Sequence, residues 1–387
     1  MSNIDIFSDY GLIGDNLELK KDIKIKFDED GNFRAISYND IGDIFEFLEN
    51  KSKLLIIPGL INSHVHIGDS FAKEQGFNKP LKEVVAPPKG IKHLLLNQVP
   101  RELVAKGIKK AVDEMLSNGI TFFIDFREGG LQGLNILSET LKNYSDIKYI
   151  SLGRYVEEKE IKLIFEAAGG IGLPSYNNIS LEAKEKLIDY KKRFGKIIAC
   201  HVAELKRNPD LISQIFDDNV VDIFIHGTHF NENDLKLIKE RGKSLILCPC
   251  CNGYFGVGFP PINKIVDLRI PIAIGTDNIM ANSLDLFEEL RYLYRILRIF
   301  NNNTYITAKD LLKMITINPA KMFNIQSYVG SIDEGKHADF FMIDLNNPNY
   351  YTSSLDIESF YALILGRTNA SNIKKTYIRG KLVHEKS

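Results

Sequence analysis

The 387-residue chain has no tryptophan, four cysteines and eight histidines, and its 49 basic residues are almost matched by 50 acidic ones. Each scarcity excludes something. A formal charge of −1 supplies no global basic field to draw the chain onto nucleic acid or anionic lipid. Three of the four cysteines crowd into Cys248-Pro249-Cys250-Cys251, too local to staple a fold together, so a disulfide framework is excluded and a reducing compartment is expected. No run reaches the roughly 18 to 20 apolar residues of a membrane-spanning helix. The opening stretch, MSNIDIFSDYGLIG, carries aspartates where a secretion signal needs a basic start and an unbroken apolar core, so a cytoplasmic location is expected. What the chain does have is 44% hydrophobic and 26% charged residues, the proportions of a chain able to bury a large core.

From position 54 onward, strand-like and helix-like segments alternate. Eight short apolar runs read as strands: Leu55 to His66, Gly119 to Asp125, Ile147 to Tyr155, Gly169 to Tyr176, Gly195 to Glu204, Val220 to Phe230, Lys243 to Asn252 and Ile270 to Asp277. Between them lie segments with apolar positions at helical spacing, such as Glu102 to Ser117, Leu181 to Arg193, Asn231 to Arg241 and Ser283 to Phe300. Near-continuous apolar strands alternating with helices imply a parallel sheet covered on both faces. Eight such units over about 250 residues is the size of a closed (β/α)8 barrel, so an α/β fold with a TIM-type barrel over 58–325 is expected. The two ends read differently. Short alternating stretches at Leu17 to Phe27 and Phe33 to Ile36 flank the turn signal Asp28-Glu29-Asp30-Gly31, and Ala338 to Asp344 and Lys375 to Val383 repeat the character. A small β-sandwich built from residues 1–57 and 326–387 is expected beside the barrel. The connection from Ile67 to Val99 is unusually long, with Pro80, Pro87 and Pro88 interrupting any regular element. It leaves the C-terminal end of a barrel strand and is expected to form a lid or pocket wall.

Five of the eight histidines, His64, His66, His201, His226 and His229, fall at or just past predicted strand ends. Residues two apart on a strand face the same side, so His64 and His66 aim both imidazoles at one point. On the interior face near the top of a barrel, that is the geometry a divalent metal needs. His201, His226 and Asp277 each close an apolar strand. Any one of them alone reads more readily as a cap or a satisfied core group; together, in the right strand order, they read as a site. Asp277 supplies the anionic oxygen that three imidazoles leave room for, and Glu204 lies near the metal without having to bind it.

The pattern Pro-Gly-x-x-Asn-x-His-x-His at 58–66, His-Val-Ala-Glu at 201–204, His226, and Gly-Thr-Asp at 275–277 resembles the amidohydrolase superfamily. Within it the chain most resembles the branch of cytosine deaminase-like, adenosine-derivative deaminase and triazine hydrolase enzymes. Cys248-Pro249-x-x-Asn252 with Gly256, and Gly330-Ser331-Ile332 with Gly335-Lys336-x-Ala338-Asp339, extend the resemblance over most of the chain. It implies His64, His66, His201 and Asp277 as metal ligands, Glu204 as proton shuttle, and His226, with Asp277, as the group that orients and polarises substrate or water. Branches with two metals add a carboxylated lysine or another bridging ligand at the end of strand four. The run Gly169 to Tyr176 offers neither lysine nor carboxylate, so a single metal is expected. Three imidazoles and a carboxylate suit zinc and would accept iron, manganese or nickel.

The implied activity is hydrolytic deamination of an aminated heterocycle, a purine, pyrimidine, pterin or nucleoside derivative, by a metal-activated water. Hydrolysis of a cyclic or linear amide, or of a carbon–halogen bond, is the alternative within the same chemistry, and a non-catalytic scaffold homologue is the remote one. The expected partner is a small-molecule substrate, with no nucleic acid and no membrane; the oligomeric state is open. Glu128, Arg154, Ser175, His229 and Asn282 are candidate substrate contacts, and His93 is another in the long connection. Cys248, Cys250 and Cys251 read as packing groups, because no second cysteine pair completes four zinc ligands.

Overall fold

The computed structural model describes residues 5–41, 53–177, 179–300 and 305–386. Among these, sixteen strands form two sheets. In chain order they are β1 (Ile6–Ile13), β2 (Glu18–Phe27), β3 (Phe33–Asp40), β4 (Leu54–Pro58), β5 (Leu60–His66), β6 (Ile120–Arg127), β7 (Lys148–Gly153), β8 (Gly170–Leu173), β9 (Ile197–Val202), β10 (Ile223–His226), β11 (Ser244–Leu247), β12 (Ile272–Ile274), β13 (Asp277–Asn278), β14 (Phe340–Asp344), β15 (Ile373–Ile378) and β16 (Lys381–Glu385).

Nine of them pair in the order β12-β11-β10-β9-β8-β7-β6-β5-β13, every neighbour parallel. The two edge segments, β12 and β13, are separated in the chain by Gly275 and Thr276 alone, so the chain itself joins the two edges and closes the ring as an eight-position barrel. Every residue of β5 and of β6 is buried, as expected for strands covered by side chains inside and helices outside. The helix Arg101–Ser117 supplies part of that cover, burying Val104, Ile108, Ala111, Val112 and Met115 at spacings of three and four.

The strand expected from Leu55 to His66 is divided between the two sheets. Its first half, β4, pairs with β1 and β14, and its second half, β5, starts the barrel. The crossing is at Gly59, whose N–H donates to the Asp339 carbonyl at 2.9 Å. A Cβ there would stand 2.1 Å from Thr121 Oγ1, so only glycine lets the chain pass. The strand expected from Lys243 to Asn252 also stops early, at Leu247. Pro249 opens a helix, Pro249–Tyr254, in the position where a missing N–H costs nothing.

The second sheet has the order β16-β15-β14-β4-β1-β2-β3 and takes strands from both chain ends. It folds over its own core. Phe33 in β3 and Phe340 in β14 have three strands between them in pairing order, yet their rings are 6.1 Å apart, and Phe340 stacks on Tyr377 at 4.6 Å. The C-terminal stretch also adds a helix, Ile357–Arg367, which the sequence reading did not anticipate. Its Tyr361 hydroxyl donates to the Leu17 carbonyl at 2.5 Å and accepts from the Leu19 N–H at 3.1 Å, tying this helix to the N-terminal strands.

The long connection is built, contrary to the expectation that its prolines forbid regular structure. It contains a 3-10 turn at Ile67–Ala72 and helices at Leu81–Val85 and Ile91–Gln98. Pro80 stands at the N-cap of the first of these helices, and Pro87 and Pro88 fall between the two, so the prolines mark helix boundaries. No described helix is long and apolar enough to cross a membrane.

Glu289, in the helix Leu286–Phe300, is fully buried. Its carboxyl accepts from the Cys250 N–H at 2.9 Å and from Asn282 Nδ2 at 2.5 Å, joining the segments that follow β11 and β13. Burial pushes this carboxyl up to about 8 from its ordinary 4.5. Between those values the native chain holds a proton that the unfolded chain lacks, so its stabilising effect is present at low pH and is lost as pH rises through the window. The slope is at most about 1.4 kcal/mol per pH unit. Glu289→Gln is therefore expected to flatten the pH dependence of the urea midpoint over this range. An unchanged profile would remove Glu289 as its source.

Candidate metal centre

The C-terminal ends of the barrel strands bring four donor side chains together. His64 and His66 lie on β5, His201 on β9 and Asp277 on β13. Their ligating atoms all lie within 4.8 Å of one another. His64 Nε2 is 3.2 Å from Asp277 Oδ1 and 3.3 Å from His201 Nε2, and His66 Nε2 is 3.3 Å from Asp277 Oδ1. Gly275 makes the approach possible: a Cβ at that position would stand 2.5 Å from the Cβ of His64. Backbone strain also sits here. His226 and Asp277 have φ of +69° and +60°, and Ala203, just past β9, has +53°, conformations that non-glycine residues adopt where the surrounding structure requires them.

Hydrogen bonds fix which nitrogens carry protons. His66 Nδ1 lies 3.0 Å from the Phe126 carbonyl and His201 Nδ1 lies 2.9 Å from the Leu173 carbonyl. A carbonyl only accepts, so in both rings Nδ1 holds the hydrogen and Nε2 presents a lone pair. The lone pair of His201 faces His64, and that of His66 faces a carboxylate oxygen. Protonation does not relieve this crowding, because burial pushes His64 down to about 3 and His201 well below the ordinary histidine value. Asp277 Oδ2 and His64 Nδ1 are buried without a hydrogen-bond partner. Four electron-rich atoms this close in a dry pocket fit a cation between them. Bonds of about 2.0–2.1 Å at tetrahedral angles would place ligand atoms about 3.3 Å apart, matching the three closest pairs.

Two further groups stand at the same place. His226 Nδ1 donates to Asn252 Oδ1 at 3.0 Å, and Asn252 in turn donates to Thr228 Oγ1 at 3.3 Å, so the ring is held with Nε2 toward the donors. That Nε2 is 3.5 Å from Glu204 Oε1 and 3.9 Å from Asp277 Oδ2. Burial raises the Glu204 carboxyl above its ordinary range. His66, His201, Glu204, His226 and Asp277 open onto a cavity of about 330 Å³, walled on one side by Leu81, Val85 and Pro87 of the long connection. That volume is in the range of small-molecule sites. A larger groove of about 580 Å³ runs between Arg291 and Arg367 on the outside of the barrel, away from the donors.

The other sequence candidates divide. Arg154 and Ser175 line the cavity, and Arg154 Nε is buried there without a partner. Glu128 turns behind the donors instead, 2.7 Å from His66 Nδ1 and 2.5 Å from the Lys92 ammonium. His229 is not at the cavity; its Nε2 bonds the Val257 carbonyl at 3.0 Å. Asn282 is also away from it, with its amide donating to the Thr276 carbonyl and to Glu289. His93 bonds the Val85 carbonyl within its own loop. Cys248 and Cys251 are buried among Ile225, Ile246 and Ala273, and burial raises both thiols well above the ordinary value. Cys248 also comes within 4.8 Å of the donor atoms of His226 and Asp277. Lys92, Asp69 and Asn278 were not expected near the site, and Asn252 carried a pattern but no role. A lysine among the many of a long loop has no sequence signal that marks it as buried.

The Amidohydrolase family matches residues 55–383. An uncharacterized protein of Methanocaldococcus jannaschii is 34% identical over 361 residues, covering 89% of this chain and 91% of its own. A 5'-deoxyadenosine deaminase of Methanococcus vannielii is 29% identical over 350 residues, covering 82% of this chain and 80% of its own. An adenosine deaminase of Xanthomonas campestris, solved with bound zinc, superposes with a TM-score of 0.77 at 16% identity over 98% of this chain and 92% of its own, a likeness of fold. With the match extending over most of its length and the barrel presenting its donors at the strand ends, the chain belongs to the amidohydrolase family.

Proposed function

We propose that the chain is a single-metal hydrolase that deaminates an aminated heterocycle, with His64, His66, His201 and Asp277 holding one zinc ion. The observation that carries this reading is the pair of lone-pair nitrogens locked by backbone carbonyls into one cluster, that of His66 toward the Asp277 carboxylate and that of His201 toward His64. One ion suits the donor set, because β8 ends without a lysine or carboxylate to bridge a second. A bound divalent ion lowers the pKa of its water toward about 7. The chain's own groups do the rest. His226 Nε2 and Asp277 Oδ2 orient the water and the substrate between them. Glu204 takes one proton of the attacking water at its carboxylate and delivers it to the ring nitrogen beside the attacked carbon; it then takes the second proton as the new C–O bond becomes a carbonyl and passes it to the departing amine, which leaves as ammonia. Burial raises this carboxyl above its ordinary range, which favours its holding the proton between the two transfers. The unpartnered Arg154 Nε and Ser175 face the same cavity and are proposed as substrate contacts.

The name of the Methanococcus vannielii relative puts adenosine derivatives first in the test. Purified, zinc-loaded protein is expected to release ammonia from at least one member of a panel of aminated nucleosides, purines, pyrimidines and pterins. Turnover of a cyclic amide or a halogenated heterocycle, with no ammonia from any amine in the panel, would move the assignment to the other hydrolytic chemistry.

A further inference from the structure

The helix Ile91–Gln98 buries one of its eight residues, and that residue is Lys92. Leu94 on the same helix is 46% exposed. Ile91 and Leu95 pack on the apolar cluster of Ala72, Val84, Met280 and Ala281, but the residue the helix buries completely is a lysine, a side chain normally left in water. The burial is tolerable because three oxygens surround the ammonium: it donates to Asn278 Oδ1 at 2.8 Å and forms ion pairs with Glu128 Oε1 at 2.5 Å and Asp69 Oδ2 at 3.2 Å. Although Lys92 lines the cavity, its ammonium is held among these three protein oxygens.

Two of those three contacts lead to the donor side chains. Glu128 Oε1, held by Lys92, is also 2.7 Å from Nδ1 of His66. Asn278 has its Oδ1 occupied by the ammonium, a pure donor, so its Nδ2 must point the other way. It donates to Asp277 Oδ1 at 2.9 Å. We propose that Lys92 is a positioning residue for the metal centre, fixing His66 through Glu128 and Asp277 through Asn278 from a loop outside the barrel. This rests on the metal reading of the four donors. It makes the placement of the 67–99 loop and the geometry of the centre two readouts of one ionic cluster.

The test measures zinc affinity by competition with a chromogenic chelator. Lys92→Met is expected to weaken zinc binding about 10–100-fold, as loss of groups that orient metal ligands does. Because the single variant leaves Glu128 and Asp69 uncompensated, Lys92→Met/Asp69→Asn is compared as well. It restores the charge balance, leaves Glu128 and Asn278 untouched, and is expected to unfold near the wild-type temperature yet still bind zinc 10–100-fold more weakly. In the unmodified chain, zinc is expected to slow protease cleavage within residues 67–99 relative to chelator-treated protein. Wild-type zinc affinity in the double variant, or loop cleavage indifferent to zinc, overturns the role of Lys92. A wild-type chain that takes up no zinc overturns the metal reading itself.

Discussion

Glu204→Gln is expected to retain its zinc and lose turnover by about 10²–10⁴-fold, the span that general acid–base catalysis contributes. The substitution keeps the shape of the side chain and its place beside His226, where Glu204 Oε1 stands 3.5 Å from the imidazole. What it removes is the ability to accept a proton. Glu204 is not among the four converging donors, so metal content measured by elemental analysis is expected to match the wild type. The combination of full metal and lost turnover separates a proton carrier from a ligand. Retained activity would take Glu204 out of the mechanism.

Removing the ion is the other large effect. Prolonged chelation is expected to abolish ammonia release and lower the unfolding temperature, and added zinc is expected to restore both. The stability change follows from binding to the native state alone: a ligand present at 100 times its Kd contributes about 2.7 kcal/mol. His201→Ala removes the Nε2 that faces His64 at 3.3 Å, and its unfolding temperature is expected to be indifferent to the chelator. A wild-type protein whose activity and unfolding both ignore chelation contradicts the metal reading.

The barrel was legible because its strands are largely buried, β5 and β6 throughout. A residue such as Ile124 or Phe123 has no polar alternative there, so the apolar runs survive in the sequence as unbroken signals. His64 and His66 were legible for a geometric reason, since a spacing of two on a strand fixes a shared face whatever surrounds it. Side chains at loop positions carried no such constraint. His226 still lies on β10, whereas His229 and Asn282 come three and four residues after their strands; one bonds the Val257 carbonyl and the other the Thr276 carbonyl, choices set by how the loops fold back. Lys92 was invisible because its burial depends on three partners drawn from three separate segments, Asp69, Glu128 and Asn278. The prolines of the 67–99 connection misled in a different way. They terminate helices as readily as they prevent them, and position relative to the helix start decides which.

The crossing at Gly59 carries a consequence for how the chain is made. β4, immediately before it, is an interior strand whose two neighbours are β1, synthesised just earlier, and β14, which begins at Phe340. On the ribosome, β4 therefore waits with one edge unpaired while the whole barrel emerges. At about 5–20 residues per second that interval is on the order of tens of seconds. An open strand edge is a template for pairing with another nascent chain. A strand from the last fifth of the chain thus covers an edge exposed since its first sixth, and truncation ahead of Phe340 leaves that edge permanently open.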